Sequence, residues 1–419
     1  MTVLIAGGGI GGLSLALTCH QIGVPFQVFE TSREIRPLGL GINVQPNAVR
    51  ELEEMGFAGS LAEVGIPTQE FAMFSKFGLE IWSEPRGVEA GYKWPQYSLH
   101  RGKLQKVLYR ELISRAGQDA VQTGWKVVGY ENSADEVQVQ LVSRDGESKS
   151  VSGKILIGAD GINSSVRSQM VPDEGPPIWN GRVMWRGMSF GTAWRTGATM
   201  VMIGHDTQRF VAYPIQEPDP KTGLSLINWI AELEINSDTD QSFGDWNSVV
   251  STDKFLPEFE DWKFEWIDVP ELITSSAEVF EYPMVDRDPL YTWQHGRVSL
   301  IGDAAHVTYP VGSNGASQAI VDARKLGRAF MDNGVSPEAL TRYESEVLPT
   351  ACNIVLANRG EGPDAVMQWV EDSCGGQFER IGDVVDVGDL TRHAAKYKSI
   401  AGFSIDELNA LPPTIDVGR

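Results

Sequence analysis

The run Val3-Leu4-Ile5-Ala6-Gly7-Gly8-Gly9-Ile10-Gly11-Gly12 constrains this chain more than any other stretch. A short, continuously apolar strand passes straight into a glycine turn, and a helical segment follows from Leu13 to Ile22 before a stop at Gly23. Unbroken apolar character marks a strand buried on both faces, the habit of parallel sheets covered by helices. Gly7, Gly9 and Gly12 satisfy G-x-G-x-x-G. In that spacing the first glycine allows the tight turn, the second lets a pyrophosphate approach the backbone, and the third lets helix and strand pack. A second strand, Phe26-Gln27-Val28-Phe29, then ends at Glu30. Glu30 falls near the offset, about 20 residues, at which a carboxylate takes a ribose hydroxyl pair. The order strand, glycine turn, helix, strand, acid predicts a dinucleotide site with its phosphates at a helix N-terminus.

Two later stretches repeat the pattern of a buried strand running into a small acidic turn. Lys154-Ile155-Leu156-Ile157 leads to Gly158-Ala159-Asp160-Gly161, with Ser164, Ser165 and Arg167 on a following helix. Arg297-Val298-Ser299-Leu300-Ile301 leads to Gly302-Asp303-Ala304-Ala305-His306, then Pro310, Gly312, Asn314, Gly315 and a helix from about Ala316 to Phe330. Ligands of open α/β sheets bind at the carboxyl ends of the strands. These turns are therefore expected at one edge of one parallel sheet. Arg36 to Asn47 is rich in glycine and proline and reads as a loop, with a helix from Asn47 to Met55. Arg101 stands at the start of another helix, Gly102 to Ala116.

The character changes elsewhere. Residues 66–98 alternate apolar and polar, as do Trp125 to Val128 and Val137 to Leu141, which read as a meander. From Ile178 to Pro283 short alternating runs predict an antiparallel sheet inserted between strands of the nucleotide fold. Trp179, Trp185, Trp194, Trp229, Trp246, Trp262 and Trp266 fall there and either line a pocket or fill a core. Arg209, Val211 and Tyr213 alternate, so they share one face of a strand. That face is expected to look toward the ligand, with Arg209 and Tyr213 as substrate-side candidates and His205 and Trp185 as weaker ones. Helices close the chain from Pro337 onward, and the tail after Pro412 is expected to fray.

The net charge of −21 argues against nucleic acid or an anionic membrane as partner. No apolar run reaches the roughly 18 residues of a spanning helix, and no basic segment precedes the first strand, so a cytoplasmic protein is expected. Cys19, Cys352 and Cys374 lack metal-ligand spacing, and no metal site is expected.

Together the three motifs resemble the single-component flavoprotein aromatic hydroxylases of the para-hydroxybenzoate hydroxylase fold. Asp286 to His306, "DRDPLYTWQHGRVSLIGDAAH", is similar to that family throughout. "YPVGSNGASQAI" from Tyr309 and "YKSIAGFS" from Tyr397 look most like its phenazine-1-carboxylate hydroxylase branch. The resemblance implies an α/β chain with a discontinuous Rossmann-like FAD-binding domain (1–65, 99–175, 284–335). It also implies a β-sheet substrate domain (66–98, 176–283) and a C-terminal helical region (336–419); separately, a monomer or homodimer is expected. It implies FAD, with NAD(P)H as a transient co-substrate and O2, hydroxylating an aromatic or N-heteroaromatic small molecule through a flavin C4a-hydroperoxide. FAD contacts carried over by the resemblance are Gly7, Gly9, Ile10, Gly11, Gly12, Glu30, Thr31, Gly41, Ile42, Arg101, Val128, Asp160 and Gly161. The last motif adds Asp303, Pro310, Gly312, Ser313, Asn314, Gly315 and Ala316. Where the family more often reads P-x-x-G-Q-G-x-N-Q, Ser313, Asn314 and Ser317 replace Gly, Gln and Asn. A flavin-dependent halogenase would share the first motif but needs W-x-W-x-I-P, and Trp262 to Pro270 has the wrong spacing. A flavoprotein oxidase or reductase without oxygen insertion, and a non-catalytic FAD-binding protein, stay open on the residues alone.

Overall fold

Five short strands run parallel in the order Val298–Leu300, Ile155–Gly158, Val3–Ala6, Phe26–Glu30 and Val121–Thr123. The three apolar strands that precede the small acidic turns are thus neighbours, and their turns share one edge. This computed structural model describes residues 2–235, 248–360 and 362–416. Val3–Ala6 is wholly buried at the centre of the sheet. Its core is completed by the helices Ile10–Gln21, Arg101–Ala116 and Gly315–Asn333, and by Val127, Val137, Val139 and Leu141 of a three-stranded antiparallel sheet. The first helix starts at Ile10, inside the glycine turn, three residues earlier than the apolar pattern suggests.

The second large sheet has seven strands: Val279–Asp286, Ile178–Gly191, Ser225–Glu234, Gln208–Pro214, Thr199–Gly204, Glu70–Phe74 and Glu80–Pro85, in that order. It is not purely antiparallel, because Thr199–Gly204 and Glu70–Phe74 run side by side in parallel. More than a hundred residues separate these two strands, ample chain for a crossover. One face is packed by an aromatic core around Trp185, Trp194, Phe210, Trp229, Phe255 and Trp262. The opposite face carries Met184, Met200, Met202, Val211, Tyr213 and Ile230. The tryptophans of this region therefore fill a core, with Trp179 and Trp266 packed against it; Trp246 lies outside the described residues.

A small sheet of Gly41–Val44, Gln96–His100 and Gly65–Thr68 sits where the chain passes between the two large ones. The expected loop before residue 47 thus contains a strand, and its helix runs Pro46–Glu54 with Gln45, not Asn47, at the N-cap. The helices Pro337–Ala357, Ala365–Cys374, Val387–Ile400 and Ile405–Ala410 close the chain. Among the described residues no helix is long and apolar enough to cross a membrane.

Against expectation, residues 412–416 of the tail are held to the body of the protein. Thr414 Oγ1 donates to Glu51 Oε1 at 2.7 Å, the Arg50 guanidinium donates to the Pro412 carbonyl, and Ile415 is buried. Arg324, itself fully buried, donates to Glu51 Oε2 at 3.2 Å and Glu54 Oε2 at 3.1 Å. Carboxylates held at an interior need such donors, and the tail supplies the Thr414 hydroxyl and the Thr414 and Ile415 N–H groups.

Candidate active site

A single elongated cavity of about 630 Å³ runs from the edge of the parallel sheet to the methionine-rich face of the seven-stranded sheet. At its nucleotide end lie Gly7, Gly9, Ile10, Gly11, Glu30, Thr31, Arg101, Asp160 and Gly161. The backbone here demands glycine at two points. A Cβ on Gly12 would lie 2.0 Å from the Gly7 carbonyl oxygen, and one on Gly7, already at φ +106°, would lie 2.4 Å from that of Ala159. Gly12 itself does not line the cavity; it closes the packing of helix on strand beneath it. A Cβ on Gly9 meets nothing within 4 Å, so this position opens toward the cavity.

Glu30 ties its strand end to the turn. Oε2 accepts from the Gly8 N–H and Oε1 from the Ser32 N–H, both at 2.7 Å. Gln105 Nε2 donates to the Gly8 carbonyl at 2.7 Å and lines the same wall. Asp160 turns its carboxylate onto the following helix, accepting from the Ser165 N–H at 2.8 Å and from the Ser164 hydroxyl. Burial pushes its carboxyl up, and those hydrogen bonds pull it back. Arg167, buried, donates to the carbonyls of Ala304 at 3.0 Å and Ala305 at 2.8 Å, so the second motif physically holds the third.

In the third motif Asp303 is exposed to the cavity and, among the described residues, accepts no hydrogen bond. It begins a four-residue turn of helix whose N-cap is Gly302 at φ +59°, with no side-chain cap. His306 faces the other way. Its Nε2 lies 2.6 Å from Asp322 Oδ2, which also accepts from the Gly302 N–H at 2.8 Å. Burial opposes charge on His306, but Asp322 outweighs it and lifts the imidazole above its ordinary value.

The three departures from the commoner motif wording each have a local role. Ser313 occupies the left-handed region at φ +53°, a strained place for a residue with a Cβ. The Asn314 Nδ2 group donates to the Tyr397 hydroxyl at 2.7 Å, which donates to Asn358 Oδ1 at 2.8 Å. Ser317 Oγ accepts from the Gln45 N–H at 2.9 Å. Pro310, Ser313, Asn314, Gly315 and Ala316 line the cavity, whereas Gly312 packs below it, where a Cβ would lie 1.7 Å from the Tyr397 hydroxyl.

At the far end Arg209, Val211 and Tyr213 line the cavity together, with Gly41 and Ile42 between the two ends. Arg209 is 1% exposed. Its guanidinium lies 2.5 Å from Asp364, 3.2 Å from Asp206 and 3.6 Å from Glu232, so its charge is already matched by protein carboxylates. Burial pushes the Tyr213 hydroxyl up to about 12, with Arg186 opposing that rise. Arg186 and Glu232 also line this end. Arg186 donates to the Gly41 carbonyl at 2.8 Å, makes no ion pair among the described residues, and has a buried Nε without a partner.

Three expected positions lie elsewhere. Trp185 points into the aromatic core, stacked 4.6 Å from Phe255, with its Nε1 donating to Glu281. One residue out of phase with Arg186, it belongs to the opposite face. His205 is half-buried beside Thr207, away from the cavity. Val128 is 43% exposed on the strand Trp125–Asn132 and does not line the cavity.

The glycine turns of the parallel sheet and the methionine-rich face of the second sheet thus wall one shared cavity. Residues 1–357 match the FAD binding domain family, and the chain belongs to it. Over 362 residues, 85% of this chain and 89% of the relative, it is 42% identical to the phenazine 1,6-dicarboxylic acid hydroxylase PhzS of Lysobacter antibioticus. It is 30% identical to the aurachin C monooxygenase/isomerase of Stigmatella aurantiaca over 386 residues, 89% of this chain and 93% of that one. The fold is shared with a salicylate hydroxylase–substrate complex, at a TM-score of 0.74 and 22% identity, covering 100% of this chain and 99% of that one. The protein is an FAD-dependent monooxygenase of the aromatic hydroxylase class.

Proposed function

We propose that the protein hydroxylates an aromatic or N-heteroaromatic carboxylic acid whose carboxylate is held by Arg186. The observation that carries this is charge matching at the substrate end. Arg209 is ion-paired with carboxylates, whereas Arg186 faces the cavity and makes no ion pair among the described residues. A guanidinium so placed favours an anion, and a planar bidentate carboxylate suits it best. The wall around it is apolar, with Met200, Met202, Val211 and Ile230, as a flat ring requires. Relatives named for phenazine 1,6-dicarboxylic acid and 3-hydroxybenzoate act on acids of this kind.

The nucleotide end fits FAD on its own features: the open backbone at Gly9, the free Asp303 carboxylate, and the N-terminus of the helix Ile10–Gln21. In this reading Glu30 takes the adenosine ribose, Arg101 the pyrophosphate side and Asp303 the ribityl hydroxyls, while Pro310 to Ala316 pass the flavin ring. Bound FAD supplies the oxygen-activating redox chemistry, with NAD(P)H as transient reductant and O2 as co-substrate. The protein's own part is to exclude water, orient the substrate ring and hold its charge. The FAD-binding part then comprises residues 1–65, 99–175 and 284–335, the substrate sheet 66–98 and 176–283, and the helical region 336–419. A cytoplasmic monomer or homodimer goes with this reading, and the free thiols of Cys19, Cys352 and Cys374 suit a reducing compartment.

The test is NAD(P)H oxidation across aromatic acids and their amides, scored by product mass with labelled O2. An acid should gain one labelled oxygen, and its amide should bind far more weakly. Arg186→Gln should weaken the acid roughly 10- to 100-fold, the loss of one charge-assisted hydrogen-bonding group. Equal turnover of acid and amide, or unlabelled product with stoichiometric peroxide, would refute the proposal.

A further inference from the structure

We propose that Glu232 is the specificity-determining residue of this site, its carboxyl hydrogen-bonding a ring nitrogen of the substrate while Arg186 holds the acid group. The inference rests on the proposed acid-binding role of Arg186 and extends it to the other edge of the same ring.

Glu232 lies on the strand Ser225–Glu234, opposite Arg209 on one neighbour and Met184 on the other. It is 6% exposed, lines the cavity, and its Oε2 has no hydrogen-bond partner among the described residues. The guanidinium of Arg209 stays 3.6 Å away, beyond hydrogen-bond reach, because Asp364 draws it to 2.5 Å. A buried carboxyl left without a partner is costly, and it is aimed into a ligand cavity. The missing partner is therefore sought in the ligand.

Charge decides what kind of partner. Around Glu232 stand Arg209, Arg182 and Arg186, with Asp206 and Asp364; Arg182 reaches Asp206 at 3.5 Å. Arg182 and Arg209 are balanced by the two aspartates. Ionised Glu232 would cancel Arg186 and leave an anionic ligand nothing to bind. Neutral Glu232 leaves one net positive charge for the acid and one O–H for donation. Burial pushes this carboxyl up against the pull of Arg209, in the direction of the neutral form. A neutral carboxyl donates to an aromatic nitrogen lone pair; a carbocycle offers no acceptor in that place. Arg186 pairs across the sheet with Ile230, so Glu232 is its diagonal neighbour, roughly 7–8 Å away by ordinary strand geometry, the span of a fused ring.

The experiment measures dissociation constants of two matched tricyclic probes, phenazine-1-carboxylate and anthracene-1-carboxylate, on the FAD-loaded protein, by perturbation of the flavin absorbance. Wild type should prefer phenazine about tenfold. Glu232→Leu should abolish the preference, and the isosteric Glu232→Gln, which keeps an N–H donor, should restore most of it. The wild-type preference should shrink as pH rises through the ionisation of Glu232, while that of Glu232→Gln should stay flat. Equal wild-type affinity for both probes, or a preference that survives Glu232→Leu, overturns the proposal and leaves the acid-binding role of Arg186 standing. Failure of wild type to bind either probe overturns both.

Discussion

Removing one oxygen from the C-terminal helices should loosen the loop Pro310 to Ala316 that lines the cavity. Tyr397 is buried, and its hydroxyl sits between Asn314 on that loop and Asn358 at the end of the helix Pro337–Ala357. Asn358 also donates to Thr308 Oγ1 at 3.0 Å and to the Tyr309 carbonyl at 3.2 Å. Tyr397→Phe keeps the ring and its packing but leaves the Asn314 amide N–H and the Asn358 carbonyl without their partner. At about 1–3 kcal/mol for each buried group left unsatisfied, the loss is about 2–6 kcal/mol. An unfolding entropy of about 2.1 cal/mol/K per residue makes this roughly 2–7 °C in the melting temperature of a chain of this length. The assay is thermal unfolding of the apoprotein and of the FAD-saturated protein, with Asn314→Ala and the double variant completing a cycle. The variant should melt lower in both states, and FAD should raise its melting point less than it raises that of wild type. The two substitutions should also be strongly non-additive, since both delete one contact. A Tyr397→Phe protein that melts within about 1 °C of wild type and keeps its FAD dissociation constant would refute the reasoning.

Asp303→Ala should give folded, colourless protein, since the loss of a charge-assisted acceptor costs roughly 1.5–3 kcal/mol of FAD affinity; full flavin occupancy would identify Asp303 as dispensable. The His306–Asp322 pair should make stability pH-dependent. His306 is raised above its ordinary 6.5, so its contribution is full below that value and is lost as pH climbs through the folded-state value. Chemical denaturation should accordingly show wild type losing its advantage over His306→Gln with rising pH, and a constant difference would contradict this. Thr414→Val should cost roughly 1.5–3 kcal/mol by depriving buried Glu51 of a donor, whereas a frayed tail would register no change in melting temperature.

The nucleotide edge was legible because its constraints are local. Gly7 and Gly12 are dictated by backbone clearance, and such demands leave a mark in the sequence. The grouping of Arg209, Val211 and Tyr213 was legible from the two-residue period of a strand. The same period puts Trp185 and Arg186 on opposite faces of their strand, so only one of the two could meet a ligand. Arg186 and Glu232 were missed because alternation sorts residues onto two faces without saying which one meets a ligand. A usable signal existed in Ser225–Glu234, where Asn228 and Glu232 interrupt a strand that is apolar on its other face. The course of the tail was not legible at all, because its partners, Glu51 and Glu54, lie some 360 residues upstream.

That last closure bears on how the protein comes into being. Glu51 and Glu54 find their full set of partners only when Thr414 arrives. At about 5–20 residues per second, a ribosome needs some 20–80 s to travel from the first strand to that threonine. Throughout that interval the helix Pro46–Glu54 carries two acidic side chains that lack the donors of the tail. The amino-terminal half thus completes its electrostatics last, and a stalled or prematurely released chain would carry an unfinished, charged seam where the finished protein has a closed one.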